Sequence, residues 1–200
     1  MSRNHFVNFL SAEEAAKLIP DDAVIASACF GNGGWPHELA FLETGHPANI
    51  THIHAAGCGD FGKNGHGECH WSHEGMMTRV LTSHPGSSPK LMKMITDNKI
   101  AAWNQPLGTM IQVFREMGRN MPGLLSKTGL GTFMDPRSDK GAINDLARSQ
   151  NVEWAQYIPD FCGEDYIFYK AYPLTHAFIR GTYADTNGNI SVENEAYNLE

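Results

Sequence analysis

Residues 23–29, AVIASAC, are small and apolar with no alternation, and the chain then breaks into Gly31-Asn32-Gly33-Gly34-Trp35-Pro36. An unalternating apolar run this short is a strand buried on both faces. The glycines turn it, and Pro36 suits the first turn of a helix. The same alternation recurs downstream. SAEEAAKLIP carries Glu14 three residues after Ser11, a capping box, and predicts a helix over 12–18, stopped before Pro20. NITHIHAAG (49–57) and KIAAWN (99–104) read as strands. SSPKLMKMITDN has a serine cap and Pro89 in its first turn, ahead of a helical apolar stripe. GTMIQVFREMGRN is helical, with Met110, Val113, Phe114 and Met117 on one side. DYIFYKAYPL and HAFIRGTYAD read as strands, DTNGN (185–189) as a turn and ISVE as extended. The prediction is one α/β domain over residues 1–200, with a largely parallel sheet covered by helices.

Charge and composition narrow the function. The net charge is −7, against a nucleic-acid footprint. No apolar run approaches the ~20 residues of a membrane span. The N-terminus has no signal-peptide core, so a cytoplasmic protein is expected. Ten of the fifteen Lys and Arg lie between Arg79 and Arg148, a segment that an anionic ligand or plain surface charge would explain. Cys29, Cys58, Cys69 and Cys162 form no CxxC pair and read as buried or partly buried free thiols.

Ligands of parallel sheets sit beyond the carboxyl ends of the strands, where residues 31–36 fall. No Gly-Lys-Ser/Thr follows them, and Pro36 stands where a dinucleotide fingerprint has glycine. Amides aimed at one point suit an oxyanion better than a pyrophosphate; a plain strand-to-helix turn is the alternative. A second signal is the density of soft and imidazole donors: His52, His54, Cys58, His66, Cys69, His70 and His73. His52 and His54 share a strand face, and His70 and His73 are close enough to pair. The spacing fits no structural zinc module, so the expectation is a glycine-rich loop with incidental histidines and no metal. GLLSKTGLGTFMDPR (123–137), punctuated by Gly129, Gly131 and Pro136, reads as a loop near a site or as a packing turn. Glu38, Asp60, Glu74, Asp135, Asp160 and Glu164 read as isolated and mostly solvated carboxylates. Glu193 and Glu195 read as a solvated face. No Gly-x-Ser-x-Gly elbow occurs.

FGNGGWPHEL, HEGMMTRVLTSHPGSSPKLMKMITDNKIAAWNQPLGTM, GRNMPGLLSKTGLGTFMDPR and FIRGTYADTNGNISVENEA together resemble the N-terminal half of the fused family I coenzyme A transferases, from about residue 6 to residue 200. That group includes propionate, acetate and 3-oxoacid CoA-transferases. The resemblance implies the N-terminal α/β domain of such an enzyme, stopping before its last strand and helix. It implies transfer of coenzyme A between short-chain carboxylic acids through a glutamyl-CoA thioester. Coenzyme A thioester is then the substrate, and no cofactor is permanently bound. Gly33 and Gly34 would supply oxyanion amides, and Gly31, Asn32, Trp35, Pro36, Gly108 and Gly131 would line the acyl and substrate site. The implied partners are acyl-CoA, carboxylates, a glutamate-bearing second domain or subunit, and further copies in a homo-oligomer. Departures are visible. No glutamate here matches the family's nucleophile. Residues 37–47 leave about seven positions for a helix that is longer in relatives, and Leu107 stands where relatives often carry glutamine. Alternatives are a non-nucleophilic subunit of a two-chain transferase, an inactive binding domain on the same scaffold, and a metal-binding protein using the histidine cluster.

Overall fold

The computed structural model describes residues 7–27, 35–57, 59, 61, 65 and 67–194. Five parallel strands form the central sheet: β1 (Val24–Ser27), β2 (Ile50–His54), β3 (Met77–Thr82), β4 (Ala101–Asn104) and β8 (His176–Phe178), in the order β4-β3-β2-β1-β8. Every pairing in it is parallel, with Ile25, His52, Val80 and Ala102 in one row and Ala26, Ile53, Leu81 and Trp103 in the next. The α/β architecture matches the expectation. β3 carried no separate signal, because Arg79 interrupts its apolar run.

Alternate rows of the sheet feed two cores. One face packs Ile25, Ile50, Val80 and Ala102 against Leu91, Met94 and Ile95 of α3 (Pro89–Thr96) and against Trp71. The other packs Ile53, Leu81 and Trp103 against Met110 and Val113 of α4 (Leu107–Gly118), with Phe114 and Met117 at its margin. Both helical stripes fall as their periodicity predicts. The Ser11–Glu14 capping box is formed at α1 (Ala12–Ala16), a shorter helix than 12–18. Ser88 occupies the N-cap of α3 without capping it; its hydroxyl lies 3.4 Å from Cys69 Sγ.

α2 (Trp35–Thr44) has ten residues, more than the seven allowed for. The segment 123–126, read as part of a loop, is a strand. β5 (Gly123–Ser126), β6 (Ala155–Phe161) and β7 (Glu164–Lys170) form a separate antiparallel sheet, ordered β5-β7-β6. α5 (Asp145–Ser149) precedes β6, capped by the Asn144 side chain. The 185–189 turn closes a hairpin of β9 (Tyr183–Ala184) and β10 (Ile190–Ser191), where Asp185 Oδ1 accepts from the amides of Asn187 and Asn189. No helix among the described residues is long and apolar enough to cross a membrane.

Candidate functional site at the carboxyl ends of the parallel strands

Ser27, His54, Thr82 and Asn104 end β1, β2, β3 and β4 and stand along one edge of the sheet. The glycine loop leaves from Ser27 and re-enters at Trp35, so its attachment points are at this edge. Gly31, Asn32, Gly33, Gly34 and the Trp35 side chain lie outside the described residues, as do Cys29, Cys58, Asp60, His66 and Glu195. Pro36 is in the first turn of α2. Gly108 is the second residue of α4, beyond the end of β4, with open space where a Cβ would stand. Gly131 is held at φ +72 by its amide, which donates to Asp135 Oδ2 at 2.8 Å. That loop reaches the strand ends ten residues on, where Gly141 takes the Asn104 amide on its carbonyl at 2.7 Å.

Asp135 is a correction: it is buried, not a solvated, isolated carboxylate. The guanidinium of Arg137 and the amides of Gly131 and Arg137 converge on it and hold its carboxyl far below the usual range. Glu38 is a second correction. From α2 it reaches both His70 Nδ1 and His73 Nε2. Lys90 Nζ lies 3.5 Å from Glu38 Oε1 and 2.7 Å from His73 Nε2. Partial burial pushes Glu38 up, but the two imidazoles and the ammonium outweigh it and leave its carboxyl lowered. Glu74 and Glu164 pair at the surface with Lys99 and Lys127. Asp160 is exposed, at φ 51 in the irregular end of β6 where its pairing with β7 shifts register, and Glu193 is also exposed. Cys69 is buried as expected, whereas Cys162 is exposed in the turn between β6 and β7. The cations between Arg79 and Arg148 are mostly engaged within the chain. Seven of them, from Lys90 to Arg148, are paired with carboxylates.

Glu68 is the residue that sequence reasoning missed. It opens a single 3-10 turn, Glu68–His70, and is fully buried beside His52 and His54. The signal was there in part: two histidines on one strand face require something polar opposite them. Which residue answers depends on the β2–β3 crossover, and that is a tertiary matter. A cleft of about 250 Å³ on the other face of the sheet, beneath Trp103, is lined by Lys140, Arg148 and Asn151. It gathers no reactive cluster.

The family model for coenzyme A transferase matches residues 9–200, nearly the whole described chain. The chain belongs to the coenzyme A transferase family. This transferase chain is 40% identical to caffeate CoA-transferase of Acetobacterium woodii, over 94% of its own length and 36% of that protein's. It is 32% identical to acetate CoA-transferase YdiF of Escherichia coli, covering 98% of itself and 37% of that protein. The crystal structure of the acyl-CoA transferase YdiF apoenzyme from E. coli O157:H7 superposes with a TM-score of 0.86 at 32% identity, over 96% of the chain and 38% of that structure. The CoA-transferase chain therefore spans a little over a third of the length of these relatives.

Proposed function

We propose that the chain is part of an enzyme that moves coenzyme A between short-chain carboxylic acids through a glutamyl-CoA thioester, the chain providing the acyl site. One observation carries this reading: a family match along nearly the whole chain, with the glycine loop rooted at the carboxyl end of a fully parallel sheet. The chemistry has two half-reactions. A glutamate carboxylate adds to the thioester carbonyl, the resulting oxyanion collapses, and the coenzyme A thiolate leaves behind a mixed anhydride. The thiolate then attacks the glutamyl carbonyl, releasing the first acid and leaving enzyme-bound thioester. A second acid reverses the sequence. Each addition puts negative charge on an oxygen, and amides at Gly33 and Gly34 are placed in sequence to receive it. One such donor is worth ~3 kcal/mol in the transition state. Trp35, Pro36, Gly108 and Gly131 would border the acyl group. The carboxylate is a weak nucleophile, so contacts to remote parts of coenzyme A must help drive its attack.

The attacking glutamate would come from a second domain or subunit. Glu38 and Glu68, the buried or half-buried glutamates of this edge, are each engaged by two histidines. We expect the 200-residue chain alone to form no covalent adduct with acetyl-CoA by intact mass, and no transfer to propionate. Transfer should appear when a glutamate-bearing half is supplied. A stoichiometric adduct on a glutamate of this chain, with turnover, would overturn this division of roles. Failure of transfer with both halves present, with coenzyme A still bound, would favour the inactive binding domain. A two-chain arrangement is the second reading. It is favoured by the match to the alpha subunit of acetoacetyl-CoA:acetate/butyrate CoA transferase of Clostridium acetobutylicum, at 26% identity over 72% of that subunit. Copurification with a separate glutamate-bearing chain would decide for it.

A further inference from the structure

We propose that His52, His54 and Glu68 form a site for one divalent cation of the zinc class, which clasps the β2–β3 crossover to the carboxyl ends of β1 and β2. The site lies outside coenzyme A transfer and replaces the expectation of incidental histidines. Ligand spacing along the chain could not reveal it, because its carboxylate arrives from another element.

The three side chains are fully buried, and their donor atoms lie within 4.8 Å of one another. His52 Nδ1 is 3.1 Å from Glu68 Oε1, and His54 Nε2 points at the same oxygen. Zinc bonds of ~2.0–2.2 Å to nitrogen and oxygen place neighbouring donors at about this spacing. The His52–Glu68 approach is one of proximity rather than an aligned hydrogen bond, and Glu68 Oε2 has no hydrogen-bond partner among the described residues. A buried carboxylate is costly unless a cation answers it. Among the described residues no Lys or Arg reaches Glu68, and its carboxylate faces only the two imidazoles.

The supports behind the ligands match a metal site too. The far nitrogen of each ring is held by a hydroxyl at a strand end: His52 Nε2 by Ser27 Oγ at 2.7 Å, and His54 Nδ1 by Thr82 Oγ1 at 3.2 Å. These contacts direct His52 Nδ1 and His54 Nε2 toward Glu68, as outer partners do for ligating histidines. Two imidazoles and one carboxylate favour zinc, cobalt or nickel over magnesium or calcium. Three protein ligands leave a fourth position for water or a further donor. The neighbouring Glu38–His70–His73 cluster is the weaker candidate. It is partly exposed, and the Lys90 ammonium already supplies a positive charge 3.5 Å from its carboxylate.

The test is titration of the chelator-stripped, reduced chain with zinc chloride, followed by calorimetry and melting. One equivalent should bind, and the melting temperature should rise by roughly 5–10 °C when free zinc is a hundredfold above Kd. Glu68→Gln and His54→Asn should abolish stoichiometric binding. Ser27→Ala should weaken it about 10–100-fold, and His70→Ala should leave it unchanged. X-ray absorption of the wild-type zinc complex needs no variant to fold. It should show two imidazoles and oxygen, without a sulfur shell at ~2.3 Å. Absence of stoichiometric binding, a sulfur shell, or binding that survives Glu68→Gln and falls with His70→Ala would each overturn the proposal.

Discussion

His37, on the first turns of α2, shows how one side chain can carry a pH dependence. It is buried, stacked on Trp71 with ring centroids 4.7 Å apart and edge-on to Phe178 at 4.8 Å. Neither ring nitrogen finds a hydrogen-bond partner among the described residues. Burial pushes its pKa from 6.5 down to about 4. The unfolded chain therefore binds more protons in that interval. The stability from a neutral His37 is complete above 6.5 and is lost as pH falls toward 4. The loss should reach about 3 kcal/mol at most. Denaturant midpoints measured from pH 7 to 4 should fall steadily for the wild type. His37→Phe should flatten the curve, leaving the slope from His52, which burial lowers in the same sense. An unchanged slope would mean that His37 titrates as in water. Nothing in HELAF distinguishes this histidine from an exposed one. His37 and Glu38 are consecutive on the helix, yet one is buried against Trp71 and the other pairs with His70 and His73, a difference set by the neighbours of α2.

At the scale of elements, the β2–β3 crossover is where packing outruns pattern. A Cβ on Gly57 would stand 2.1 Å from the His84 carbonyl oxygen, and one on Gly59 would stand 2.1 Å from that of Ser87. The backbone of this loop lies directly on the β3–α3 connection. The Gly57 amide donates to the His84 carbonyl at 2.8 Å, and Ser87 Oγ donates to the Gly57 carbonyl at 2.7 Å. Gly57→Ala must therefore displace backbone on both sides and should cost about 3 kcal/mol. Gly118→Ala, at the end of α4 with open space around it, should stabilise by about 0.5 kcal/mol. Chemical denaturation of the two variants checks both signs, and a neutral Gly57→Ala would show the loop to be loosely docked. The long elements were legible because burial imposes a period on them: α3 and α4 show it plainly, as does β1 by its lack of alternation. β5 was hidden because GLLS is a short strand in a glycine-rich context, and its partners lie some forty residues away in β7.

The whole molecule is a rigid five-stranded centre with less protected appendages. All five residues of β2 are buried, with β1 and β3 hydrogen-bonded on either side, whereas the β9–β10 hairpin is largely exposed. Amide exchange should accordingly be slowest across 51–54 and 79–82 and faster by orders of magnitude across 183–191. Equal protection of the hairpin would imply a covering surface. Taken alone, the sequence determined the fold class, most of the helices and their buried faces, the turn at 185–189 and the family. Each follows from local periodicity, cap and turn chemistry, or motifs that are contiguous in the chain. Only the tertiary structure decided that Glu68 meets His52 and His54, that Glu38 meets His70 and His73, and that Asp135 is a buried anchor. These pairs join residues brought together by parallel crossovers and returning loops, and side-chain burial depends on what the rest of the chain lays against them. A residue's own neighbours in sequence carry no record of that.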